Sequence, residues 1–494
     1  MSHPPNTAPP TDRLGLELTT GPEAAGLYRE GIDRLLALAE GAPECFEGAI
    51  RADERFSLAY AALALAHLVD GRPARARGAL MRARSPLAGQ PLPATPATRR
   101  ERWHLEIVAA GVAGDDARAR ELAVAHLREF PRDLLVLAFL VIGAQRSGGP
   151  GERADVARLA AELAPHHGDD WAFLSLRAYV LEELGRTDQA LSLALRALEL
   201  HPACAQAAHV VAHVRYERGE HEEGRRFLAE WLEAQTPSAP TLVHLRWHQA
   251  LFDLALLDPR AAVGAYERWI RPAAAAGVPG ALIAASGLLW RLALDGRDAP
   301  LSWKDIHQKA ALATDGAGSA LADLHIALAL AGAGDVPALD RVAAAQNALA
   351  CRGDAAAGAA VLPAALGLRA LVAGEPSAAA AHLEIALGGL ELIAGGNAQR
   401  RLLEDTLLEA CLRAGRYEVA ERRLRARIEG QRATARDLML LDRALAGLHP
   451  LTPTFGRRRR VRPADSERTP STRTASSRRG PLSSREAPVS PASA

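Results

Sequence analysis

Four of the sixteen histidines in this 494-residue chain are spaced as if for chemistry. His209 and His213 stand four apart in His-Val-Val-Ala-His, and His244 and His248 stand four apart in His-Leu-Arg-Trp-His. Residues at i and i+4 project from one face of a helix, and two imidazoles so placed form a bidentate clip for a divalent cation such as zinc. The pairs are offset by 35 residues. If that offset is one structural repeat, the two clips sit on helices about 10 Å apart and converge on one surface. Asp323 and His325 are further candidate ligands, and a cation held by such a set would activate water or polarise a carbonyl. No glutamate falls inside either His pair, so the HExxH protease motif is absent. Asn397, Gln399 and Arg400 follow two glycines and precede a new helix, where backbone N–H groups and a guanidinium favour an anionic group. Each residue also has a plainer role. A histidine in a groove often bonds a neighbouring helix, Arg400 can pair with Glu404, and Asp323 can serve as an interhelical hydrogen-bonding group. Trp247, Trp269 and Trp290 suit a core better than a stacking platform, although Trp247 lies between the second pair of histidines.

The elements that carry these residues follow from composition and period. Hydrophobic residues make up 49% of the chain but aromatics only 4%. Ala and Leu, the strongest helix formers, supply most of the apolar share. Trp171–Cys204 has small residues at Ala178, Ala190 and Ala197, a break at Gly185 and Pro202 near its end. That is the 34-residue tetratricopeptide pattern, in which small residues let two antiparallel helices pack closely. Windows opening at Ala205 (Ala212, Gly219, Gly224, Leu228) and Val243 (Ala250, Ala262, Tyr266) keep the frame. So do windows opening at Ala360 (Gly367, Gly374, Ala379), at Arg401 (Leu408, Gly415, Ala420) and at Phe56 (Gly71, Ala76). The expected fold is an all-α, right-handed α-solenoid of tetratricopeptide-like helix pairs over 14–447, whose first helices line a concave groove. Residues from several repeats can share one pocket only if the array curls tightly.

Several segments together resemble the tetratricopeptide repeat protein 38 family. They are Thr98-Arg99-Arg100-Glu101 with His104, Pro131 with Asp133, the two HxxxH segments, Asp323 with His325, and Gly395-Gly396-Asn397-Ala398-Gln399-Arg400. They occur in the family's order from about Leu14 to about Ile428. Where the resemblance leads one to expect a His-Asp pair, this chain has Val141-Ile142. The resemblance implies a fold and carries no activity with it.

Charge is uneven. The tail from 450 to 494 holds ten arginines, including Arg457–Arg460, against three acids, a net +7 in a chain of net +1, so the rest carries −6. Rich in Ser, Thr and Pro, the tail (448–494) lacks the apolar surface to offset ordering entropy, as does the start (1–13), and both are expected to be disordered. The near-neutral whole has no electrostatic case for nucleic acid beyond a weak contact by this tail. Cys45, Cys204, Cys351 and Cys411 show no metal or disulfide spacing. The first residues lack an apolar leader, and the longest apolar run, 134–144, is too short to span a bilayer. The expected compartment is the cytoplasm. Two function classes stand open: a scaffold binding a protein, a peptide or a small polar ligand in a His-rich concave groove, and a metal-assisted hydrolase or related enzyme using the paired histidines.

Overall fold

The computed structural model describes residues 9–84, 98–147, 150–235, 240–296, 302–316, 319–393, 395–430 and 433–449. Regular structure there is helical, with one isolated bridge between Thr11 and Glu17. The helices come in consecutive pairs: α1 (Pro22–Ala37) with α2 (Ala42–Ala52), α3 (Ser57–Val69) with α4 (Pro73–Arg84), α5 (Arg99–Ala113) with α6 (Asp116–Glu129), and α7 (Leu134–Ser147) with α8 (Pro150–Leu163). Next come α9 (Trp171–Glu183) with α10 (Thr187–Leu200), α11 (Ala205–Glu217) with α12 (His221–Glu233), and α13 (Pro240–Ala255) with α14 (Pro259–Ala265) and α15 (Arg271–Ala276). The array continues with α16 (Ala281–Leu294) and α17 (Lys304–Ala311), α18 (Ala320–Gly332) and α19 (Val336–Cys351), α20 (Leu362–Val372) and α21 (Pro376–Gly388), and α22 (Asn397–Arg413) and α23 (Tyr417–Gly430), and closes with α24 (Ala435–Leu448). This is an all-α solenoid. The glycines at the expected breaks, Gly71, Gly185, Gly219, Gly374 and Gly415, all have φ between +67° and +77° and end first helices in the left-handed conformation.

First and second helices are buried differently. The second helices bury one stripe: Ala190, Ala194 and Ala197 on α10. The first helices are covered nearly all round, α11 without a break from Ala205 to Val214. In an open solenoid their inward face would be free. Here the chain itself covers it. Helix α1 packs against α7, α9 and α11 as well as its own partner, burying Tyr28, Ile32, Leu35 and Leu36. In the second half α22 lies against α16, with Trp290 Nε1 donating to Thr406 Oγ1 at 3.0 Å, and Arg436 of α24 pairs with Asp295 after α16 at 2.6 Å. The expected tight curl is present, but the expected groove is filled: the inward face of the first helices is core.

The apolar core has two large bodies, one from Leu18 to Val214 and one from Trp247 to Ala444, with a small cluster bridging them around α11, α12 and α13. Residues 9–13, read from sequence as part of a disordered start, are tied down. Leu18 N donates to Pro10 O, and Arg13 pairs with Asp33 and Asp170 at 2.8 and 2.9 Å. Residues 1–8, and the tail from 450, lie outside the described residues. The chain splits into Met1–Pro450 and Leu451–Ala494. Among the described residues no helix is long and apolar enough to cross a membrane. The four cysteines are unpaired thiols, Cys204 and Cys411 buried as small hydrophobes and Cys351 exposed.

Candidate metal centre

The repeat that carries the second His pair opens at Pro240, not at Val243, and this sets the register of the histidines. From Ala205 to Pro240 is 35 residues, the same as the offset between the His pairs, so His209 and His244 are both fifth in their helices and His213 and His248 both ninth. Identical positions on adjacent first helices face each other. His209 Nε2 lies 3.0 Å from His244 Nε2, His244 Nε2 lies 3.1 Å from His248 Nε2, and His248 Nε2 lies 3.2 Å from His213 Nε2. All four ligand nitrogens fall within 4.8 Å of one another. Tetrahedral zinc with Zn–N bonds of about 2.0–2.1 Å sets its nitrogens about 3.3–3.4 Å apart.

Hydrogen bonding alone does not account for this geometry. Each neutral imidazole brings to its Nε2 either one proton or one lone pair. A path of three contacts through four nitrogens asks His244 and His248 each to serve two neighbours with one such site. A cation at the centre uses four lone pairs at once.

Helices α9 and α11 supply a carboxylate shell. His213 Nδ1 lies 3.1 Å from Glu182 Oε1, the carboxylate–histidine arrangement that orients a metal-ligating imidazole. Glu182 is buried, and its other oxygen has no partner. Glu183 pairs with Arg153 at 3.2 Å, and Glu217 Oε1 accepts from Asn397 Nδ2 at 2.7 Å. Burial opposes charge on His213, but Glu182, with Glu183 and Glu217 behind it, raises its pKa to about 9. Burial, reinforced by charge on neighbouring histidines, holds His209 and His248 well below the ordinary value and takes His244 to about 3. Trp247 walls one side, stacked on the His244 ring at 5.4 Å and edge-on to His248 at 4.8 Å.

The glycine-rich loop closes the other side. A Cβ on Gly396 would meet His213 Cε1 at 2.5 Å, so only glycine lets this backbone lie on the imidazole. Asn397, Gln399 and Arg400 do not precede the helix as expected; they are its first turn, with Gly396 as N-cap. Arg400 folds back onto Gly395 O and Asn397 Oδ1 at 2.6 and 2.7 Å rather than onto Glu404, and Gln399 folds over Gly395. The anion near this helix start is the chain's own Glu217.

Asp323 and His325 are elsewhere. Asp323 Oδ2 accepts from Gln346 Nε2 at 2.9 Å, and His325 Nδ1 meets Ser286 Oγ at 2.9 Å. Both lie on α18, which packs against α16 and α19, so neither ligates with the four histidines. Trp247 and Trp290 are core as expected, while Trp269 is half-buried between Arg246 and Arg268.

Sequence reasoning missed Glu182, Glu183 and Glu217. Glu182 sits 31 residues before His213, about one repeat upstream, and that spacing was the available signal. It named Arg100, His104 and Asp133 only as part of the resemblance and did not join them, with His126, into a second buried cluster. There Asp133 Oδ2 accepts from Arg100 Nε at 2.8 Å and meets His104 Nε2 and His126 Nε2 at 2.7 and 3.0 Å. Arg100 continues to Asp12 at 2.7 Å and Glu17 O at 3.1 Å. A guanidinium on the shared oxygen leaves no room for a second cation, and this cluster anchors the N-terminal segment.

No family model matches the chain. Among solved structures it is similar to the P58(IPK) TPR domain, at 14% identity over 80% of this chain and 98% of that one, with a TM-score of 0.20. It is also similar to a chain of Naa15/Naa10 bound to HypK-THB, at 13% identity over 88% of this chain and 69% of that one, with a TM-score of 0.24.

Proposed function

We propose that this chain is a helical-repeat scaffold that holds one divalent metal ion, zinc by preference, between α11 and α13. The observation that carries the reading is the convergence of four imidazole Nε2 atoms at 3.0–3.2 Å steps on neighbouring helices. Charge supports it, because Glu182 on His213, with Glu183 and Glu217 behind it, would compensate a dication bound by four neutral imidazoles. Four protein nitrogens complete a tetrahedral zinc shell, the arrangement of structural sites, whereas catalytic sites keep a position for water. The geometry therefore favours a metal that fastens one repeat to the next over the metal-assisted hydrolase. It also argues against peptide recognition along the inward face, which α1 and α22 already occupy.

The test is elemental analysis of protein purified without a His tag or chelator. The expected result is close to one equivalent of metal per chain, restored by zinc after chelation. His213→Ala with His248→Ala should abolish it while the helical circular dichroism persists. A wild-type chain that neither carries metal nor takes up zinc would end this reading.

A further inference from the structure

The second half of the molecule contains an arginine-lined cavity that the metal centre does not use. It measures about 40 Å³ and is lined by residues of α11, α13, α16, α22, α23 and α24. One wall is cationic, with Arg291, Arg401, Arg427 and Arg436. The lining that α13 contributes is apolar, with Leu251, Leu254 and Ala255.

The carboxylates of the cavity are committed to three of the four arginines. Asp437 receives Arg427 at 3.0 Å and Arg401 at 3.3 Å, and its remaining capacity caps α24 through Thr434. Asp405 takes Arg427 at 2.7 Å and Arg436 at 3.2 Å, and Asp295 takes Arg436 at 2.6 Å. Arg291 has no carboxylate. Its two terminal nitrogens donate to the backbone oxygens of Gly287 and Ala398, and its guanidinium lies 5.6 Å from the Trp247 ring centre. It is buried nonetheless, at 7% exposure. A buried cation without a bonded counter-charge is costly; Arg427 on the same cavity is paired with Glu404, Asp405 and Asp437, and its Nε is buried without a partner.

We propose that this cavity binds a small aliphatic monocarboxylate, its charged end against Arg291 and Arg427 and its alkyl end against Leu251 and Leu254. The volume suits such a ligand: one water needs about 10–15 Å³ of such space, so there is room for three or four waters, or for the four or five bonded heavy atoms of acetate or propionate, and not for a sugar phosphate. A planar carboxylate matches the fork of a guanidinium, and the apolar wall gives an alkyl group an advantage over a halide. This inference is independent of the metal centre.

Isothermal titration of the full-length protein with sodium acetate and sodium propionate, against chloride and phosphate at equal ionic strength, tests it. The expected result is one site per chain, with propionate at least as tight as acetate and both at least tenfold tighter than chloride or phosphate. Arg291→Met should weaken propionate at least tenfold, and Ala255→Leu, which fills the cavity from the apolar side, should do the same; the second variant decides if the first does not fold. The metal-free His213→Ala, His248→Ala protein should still bind propionate, which separates failure here from failure of the metal reading. No saturable binding of either carboxylate, chloride binding as tightly as propionate, or unchanged affinity in a folded variant would overturn the proposal.

Discussion

His325 shows how one buried side chain ties stability to pH. His325 Nδ1 lies 2.9 Å from Ser286 Oγ, a hydroxyl that also reaches Leu282 O at 2.8 Å. Its Nε2 is buried without a partner, and burial, with the nearby charge of Arg291, takes the pKa down to about 3. The unfolded chain therefore binds a proton at this histidine between about pH 6.5 and 3, where the native chain does not. The stability that follows is complete above about pH 6.5 and is lost as pH falls toward 3. His325→Gln, uncharged throughout, should lose less stability than the wild type between pH 7 and pH 5, a difference on the order of 1–2 kcal/mol in urea unfolding at the two pH values. Equal losses in the two proteins would show that His325 is not held neutral. Little of this was legible in the sequence. An HxxxH pair declares a shared helix face, but a lone histidine such as His325 does not reveal whether Ser286, 39 residues earlier, lies beside it.

At the scale of the element, the glycines and alanines of the repeats were the readable part, because they are where two helices must touch. Gly224 on α12 is the clearest case. A Cβ there would lie 2.3–2.4 Å from the Phe252 ring on α13, and Phe252 is fully buried. Gly224→Ala should therefore destabilise the fold by about 1–3 kcal/mol through overpacking, despite the better helix propensity of Ala, as a lowered urea midpoint would show. Gly396→Ala acts on the centre instead. Its Cβ would displace His213, so zinc affinity should fall about 10–100-fold, the loss typical of disturbing a ligand's support, while the melting temperature of the metal-free protein stays within a few degrees. Competition with a zinc-binding dye measures the first and calorimetry the second. Two irregular elements could not be read from period alone. The π turns at Tyr266–Ile270 and Ala357–Val361 each stand just before a residue followed by proline, Pro272 and Pro363. Proline removes an N–H and crowds the carbonyl four residues back, and a widened turn absorbs both without ending the helix. The repeat frame misplaces its boundaries: the helix that carries Ala360 opens at residue 355 and runs on through the π turn, and Asn397, not Arg401, opens the next repeat.

Across the whole molecule, the histidine centre occupies the seam of the architecture. His209 and His213 lie on α11, where the first core body ends at Val214, and His244 and His248 lie on α13, where the second begins at Trp247. Among the described residues a small cluster around Leu228, Leu245 and Phe252 bridges the two bodies with apolar contacts. Repeat arrays behave as chains of coupled units, and cooperativity fails first where coupling between neighbours is weakest. The alanine-rich period made the array readable, and the curl was foreseeable once residues 209 and 397 were required to share a pocket. The filling of the concave side by α1 was not, since nothing in a 34-residue period says which distant helix will lie across it. A metal bound by one pair of ligands from each side couples the halves directly. An ion at about 1,000 times its dissociation constant adds about 4 kcal/mol to the state that binds it, and only the state with the seam intact presents all four nitrogens. Scanning calorimetry should therefore show one transition for the zinc-loaded protein. After chelation the expectation is two, or one clearly broadened, as the body from 18 to 214 and the body from 247 to 444 melt apart. His248→Ala should give the chelated pattern with or without zinc. A single sharp transition in the metal-free wild type, at an unchanged temperature, would mean that apolar contacts alone hold the seam and that the centre does not fasten it.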